Sequence, residues 1–124
     1  LRAVAYEYRT FAREHPGLYA SLLPAPRADR DPDGAAAAAE PVRVVARALT
    51  ELGAPPDQHI NLIRTLRATL HGFVDLENGD GFGMDEPVDA SFDAALDLLI
   101  GAIASWRPPR RDRVAAQHRR NTRR

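Results

Sequence analysis

The side chains best equipped for chemistry in this sequence are four histidines, His15, His59, His71 and His118, three serines and a set of carboxylates. A metal site built on one segment needs paired ligands at helix spacing, and these histidines are too scattered to provide them. They read as structural or solvated side chains. His71 stands apart, because Gly72 beside it lets another helix approach closely. It is either a ligand contact or a buried polar residue satisfied by a carbonyl. The run Asp75-Leu76-Glu77-Asn78-Gly79-Asp80-Gly81 looks like a calcium loop until it is put in register. With Gly81 at the obligatory sixth place, Leu76 falls at the first and Pro87 at the twelfth, and neither offers a carboxylate. Ser21, Ser91 and Ser105 lie in no Gly-x-Ser-x-Gly elbow, and Gly79, Gly81 and Gly83 lack the strand and spacing of a phosphate cradle. Cysteine is absent, so a disulfide framework, a thiolate zinc site and a cysteine nucleophile are excluded together. No catalytic group, metal or cofactor is expected. A small helical enzyme is disfavoured by the want of paired carboxylates or a histidine-centred constellation.

Aromatic side chains offer a different chemistry. Tyr6, Tyr8, Phe11 and Tyr19 gather near His15, and Phe73 and Phe82 follow later. On helices folded back on one another they would either fill an ordinary core or line an apolar cavity with a few polar groups.

The elements that must position them are helical. Leu1, Val4, Ala5, Tyr8, Phe11 and Ala12 recur at three- and four-residue spacing, while Arg2, Glu7, Arg9 and Arg13 lie off that face. His15-Pro16-Gly17 ends this helix, Leu18 to Leu23 reads as a short second one, and Pro24 to Asp33 as a polar loop. Ala35 to Ala39 favours helix with little to bury, and Pro41 predicts a new helix or a kink. Val42, Val45, Ala46, Leu49 and Leu52 form a stripe that stops at Gly53. Asp57 is placed to cap a long helix in which Ile60, Ile63, Leu66, Leu70, Phe73 and Val74 share a face through to Glu77, with Asn78-Gly79-Asp80-Gly81 as its stop. The last helix opens at Asp89 or Ser91. Its Phe92, Ala95, Leu96, Leu99, Ile100 and Ile103 form one stripe, and Leu98 and Ala102 add a second flank. So much apolar surface calls for either burial in its own chain or a helix-helix interface between subunits. No strand-like alternation and no internal repeat competes with an all-α reading.

One domain accounts for the 124 residues, a length sufficient for an apolar core. Net charge is zero but unevenly spread: residues 1–105 hold nine Arg against sixteen Asp and Glu, a net of −7, and the remainder carries +7. An acidic body matches phosphate poorly. The Arg-rich tail, 106–124, reads as disordered and solubilising, with contact to DNA phosphates as its other use. No run spans a bilayer and no signal peptide opens the chain, so a cytoplasmic protein with no membrane association is expected.

Leu66 to Glu77, then Gly81-Phe82-Gly83 and Val88-Asp89-Ala90-Ser91-Phe92, resemble the C-terminal regulatory domain of TetR-like repressors, in the subgroup with a Trp-then-His-Gly signature. Tyr8 to Ala12 and His15 to Tyr19 resemble the helix and turn that follow the DNA-binding portion of that family. The likeness covers residues 1–105. Where the signature has tryptophan, four places before His71, this sequence has Arg67. The resemblance implies an antiparallel bundle of five to six helices that binds a small apolar effector, forms a homodimer and is not an enzyme. DNA would be reached only through an N-terminal helix-turn-helix domain absent from these residues, whose heads the helix from Leu1 to Glu14 would lever apart. Tyr8, Phe11, Tyr19, His59, Leu62, Leu66 and His71 are the pocket candidates on this reading, and Phe73, Phe92, Leu96, Leu99, Ile100 and Ile103 the interface candidates. A helical module that binds a protein partner through the same face, with no ligand cavity, is the alternative.

Overall fold

The computed structural model describes residues 1–106. The tail expected to be disordered, with its Arg cluster and His118, therefore lies outside the described residues, Trp106 excepted. Five α-helices and one short 3-10 turn make up the described residues, with no strand among them. The all-α expectation is met.

Helix α1 spans Arg2–Glu14. Pro16 drives His15 out of helical geometry, to φ −130° and ψ 56°, and itself becomes the first residue of α2, Pro16–Ser21. A proline there is pre-set for a first turn and has no N–H to leave unpaired, which is why α2 starts two residues earlier than its apolar run. Helix α3, Pro32–Glu51, begins at Asp31, whose side chain accepts from the Gly34 N–H at 2.9 Å. Pro41 neither starts a helix nor ends one; it lies inside α3. It forfeits the bond to the Ala37 carbonyl, and since Ala37 and Pro41 are both exposed, water can take that place.

The end of α3 is built as the sequence predicts. Gly53 adopts φ +78°, its N–H donates to Thr50 O at 2.9 Å, and the Ala54 N–H donates to Leu49 O at 3.0 Å. This is the paired C-terminal arrangement that left-handed glycine permits, with Leu49 and Ala54 meeting in the apolar contact that usually accompanies it. A 3-10 turn, Pro56–Gln58, leads into α4, His59–Asn78. Asp57 does not cap α4; its carboxylate accepts from the Gln58 side chain instead. Helix α4 closes on the same motif as α3, except that Asp80 rather than glycine takes the left-handed position, at φ 53°. Helix α5 runs Val88–Ser105.

Helix α4 organises the core. Its buried residues Leu66, Leu70 and Val74 are four apart, so they share a face, and each enters a different cluster. Leu66 joins Leu49, Ala54 and Ile103. Leu70 joins Ala5, Phe92 and Leu96, and Val74 joins Ala12 and Tyr19. Helices α1, α3 and α5 all pack on α4. Ile60, expected on its buried face, is 67% exposed, while Ile63 packs against the Leu49 cluster.

Candidate functional site

Between α1, α3, α4 and α5 the helices leave a cavity of about 590 Å³. Leu1, Val4, Ala5 and Tyr8 of α1 form one wall and Leu66 and Leu70 of α4 another. Leu96, Leu99 and Ile100 supply the α5 side. Helix α3 contributes the alanines 35, 38 and 39 with Val42 and Val45, and the loop before it adds Leu22, Ala25 and Pro26. The alanine run that had little to bury thus borders a space, since small side chains leave volume where larger ones would fill it. Val42 at 48% and Leu22 at 58% exposure lie on this lining, so two of the exposed large apolar side chains belong to the cavity mouth.

Two polar residues belong to this lining, Tyr8 and Arg67. The Tyr8 hydroxyl lies 2.8 Å from that of Tyr19, which lies 2.5 Å from His71 Nδ1. Either oxygen of the tyrosine pair can be the donor, and the role of Nδ1 follows the His71 tautomer. Burial pushes the Tyr19 hydroxyl above the ordinary phenol range, and its hydrogen bond with Tyr8 adds to it. Tyr19 therefore stays protonated. Arg67 Nη2 donates to the Leu23 carbonyl at 2.9 Å, pinning the loop to α4 at the mouth.

The structure sorts the sequence-based pocket candidates. Tyr8 and Leu66 line the cavity, and Tyr19 and His71 stand behind Tyr8. Phe11 packs on the Ala12 cluster, His59 Nε2 lies 3.1 Å from the Ala54 carbonyl, and Leu62 borders a smaller hollow of about 270 Å³ with Thr65, Ala102 and Trp106. Those three lie outside the lining of the main cavity, because helical periodicity reports that a face is buried and not what covers it. Among the interface candidates, Phe92, Leu96 and Ile103 are 1%, 2% and 7% exposed within one chain, which leaves little area for a partner. Phe73 stacks at 4.7 Å on Phe82 and 5.0 Å on Phe92. Leu99 and Ile100 line the cavity, and Leu99 and Ile103 also border the smaller hollow. Leu98, on the second flank of α5, is the side chain left outside, at 75% exposure.

The sequence reading placed Arg9 off the apolar face, and this is overturned. Arg9 is 4% exposed. Its Nε and Nη2 donate to the Glu77 carboxylate at 2.8 and 2.6 Å, and Nη2 also to Asp89 at 2.7 Å. Its guanidinium lies 4.6 Å from the centre of the Phe92 ring. The bond to Glu77 holds Arg9 charged against the cost of burial and, in return, holds the Glu77 carboxyl below its usual range. Further along, Arg2 pairs with Asp93 and Asp97, and the Tyr6 hydroxyl donates to Asp93. Asp89, Asp93 and Asp97 are four apart on α5 and meet Arg9, Tyr6 and Arg2 of α1. The spacing was the available signal. Ala5 and Ala12 flank Arg9 at helical intervals, and such small residues mark close approach between helices.

The family described as tetracyclin repressor-like, C-terminal domain, matches residues 1–99. The chain belongs to this family. Comparison with curated proteins and with solved structures gives no significant match. Five helices, three of them packed on α4, fit a TetR C-terminal domain, the regulatory part of a TetR-type regulator. Among the described residues of this TetR-like domain, no three His, Asp or Glu side chains converge as metal ligands, and no helix is long and apolar enough to cross a membrane.

Proposed function

We propose that this domain is the effector-sensing, dimerising half of a cytoplasmic TetR-family repressor, a non-catalytic protein whose apolar cavity binds a small molecule that controls DNA binding. The cavity is the observation that carries the reading. Its volume falls in the range of about 300–1,000 Å³ usual for small-molecule sites, and its mostly apolar lining with a few polar groups has the usual composition. Helix α1 supplies a whole wall, so a ligand that favours one placement of α1 over another biases whatever α1 is attached to. The coupling this requires is modest, about 1–3 kcal/mol of difference between two shapes.

Dimerisation is assigned to the outer flank of α4 and α5. Thr65 and Ala102 border the hollow between these helices, and Ala95 and Leu98 extend the same flank of α5. Small side chains around one exposed leucine suit a closely packed twofold contact.

Filling the cavity tests the sensor reading. Val42→Trp adds bulk at a half-open position, so the fold should keep its stability while uptake of a neutral apolar dye such as Nile red falls at least tenfold. Dye binding that ignores the substitution, or no binding by the native chain, would leave the interaction module without a ligand cavity as the better account.

A further inference from the structure

We infer that the cavity takes an amphipathic carboxylate, an unbranched or flat apolar body with one anionic head held at the mouth by Arg67. The inference rests on the effector-binding reading and names the chemistry of the effector. The walls are hydrocarbon, so the body of the ligand must be apolar along its length. Polar recognition is confined to Tyr8 and Arg67. The Tyr8 hydroxyl is already engaged with that of Tyr19, so an anionic head falls to Arg67. Arg67 has five N–H donors and uses one on the Leu23 carbonyl. Arg2, Arg9, Arg13, Arg27 and Arg43 each have a carboxylate within ion-pair distance. Among the described residues Arg30, Arg47, Arg64 and Arg67 have none, and of these four Arg67 is the one on the cavity lining.

An unpaired guanidinium at the rim of an apolar cavity selects by charge. A carboxylate buried among these walls would be costly, but at the mouth it keeps part of its hydration and gains charge-assisted bonds in a planar geometry that arginine matches. An alcohol of the same length finds the same walls without the charge. An ammonium head meets repulsion. The loop carrying Leu22 to Pro26 is held by Arg67 itself, so an anion bound there sits on the segment that leads into α3.

The test is calorimetric titration of the full chain with decanoate, decanol and decylammonium, each below its micelle concentration, repeated with octanoate. Native protein should bind decanoate about tenfold more tightly than decanol and decylammonium most weakly. Decanoate should exceed octanoate about fifteenfold, since each buried methylene contributes about fourfold. Arg67→Gln should erase the preference for decanoate and leave decanol unchanged, and Arg67→Lys should restore part of it. Equal binding of decanoate and decanol, with Arg67→Gln neutral, would overturn the inference while leaving the cavity a ligand site. Failure of all three compounds to bind a chain that also refuses Nile red would overturn both readings.

Discussion

Replacing Arg9 with methionine should be among the most damaging single changes in the domain, for reasons the geometry makes quantitative. The Arg9 side chain is 5% exposed and Glu77 13%, while Asp89 is 80% exposed. Methionine keeps the apolar stem against Phe92 and removes the charge. Glu77 is then a largely buried carboxylate whose remaining partner is Arg13, at 3.6 Å and half exposed. Removing one member of a buried pair costs about 3–5 kcal/mol, because the other charge stays desolvated. Asp89, in water, should contribute at most about 1 kcal/mol. Against a total stability of about 5–15 kcal/mol, Arg9→Met should remain folded with its Tm lowered on the order of 15–25 °C. The assay is urea unfolding followed by far-ultraviolet circular dichroism, at one protein concentration so that association does not confound the comparison. Asp89→Asn should cost far less, and Arg9→Met combined with Glu77→Met should recover most of the loss, since both desolvated charges are then gone. Equal costs for Arg9→Met and Asp89→Asn, or a double variant worse than Arg9→Met alone, would refute the reasoning.

Glu77 has a lowered carboxyl pKa in the folded chain, so its contribution is complete above the unfolded carboxylate value, about 4.5, and is lost as pH falls through the folded one. Unfolding measured from pH 7 to pH 2 should show this acid-side loss, and Glu77→Gln should flatten that part of the profile. Gly53→Ala should cost about 1 kcal/mol by urea unfolding, because φ +78° disfavours a Cβ; Gly17→Ala, with open space around the added Cβ and no positive φ, should be nearly neutral. Leu98→Arg should convert a dimer into a monomer by light scattering without loss of helix content. A Leu98→Arg variant that stayed dimeric would move the interface away from α5.

Much of the fold was legible along the chain. The Pro16, Gly53 and Gly79–Gly81 signals act within a turn or two, and the breaks came where they predict. The misreadings were also local. Of the two readings of Pro41, a new helix or a kink, the new helix is excluded, since the exposed Pro41 lies inside α3, and Asp57 pairs with the Gln58 side chain and does not cap α4. The candidate site was less legible. Tyr8 and Leu66, two of the pocket candidates, lie on the cavity lining, but the alanines of the α3 wall read as helix with little to bury.

The difference lies in what periodicity encodes. Spacings of three and four residues fix which side chains share a helix face, so the sequence alone determined an all-helical domain, the stripes of α1, α4 and α5 and their stops. Which stripe meets which depends on contacts between residues far apart in the chain. Tertiary packing alone decided that Phe92, Leu96 and Ile103 turn inward while Leu98 stays out. Only the same packing carries Arg9 into a shared bond with Glu77 and Asp89, and brings Arg67 to the edge of a hydrocarbon cavity. A charge at a helical position reads as solvated until another helix arrives with the opposite charge, and a cavity exists in no single segment, since it is the space that several leave between them.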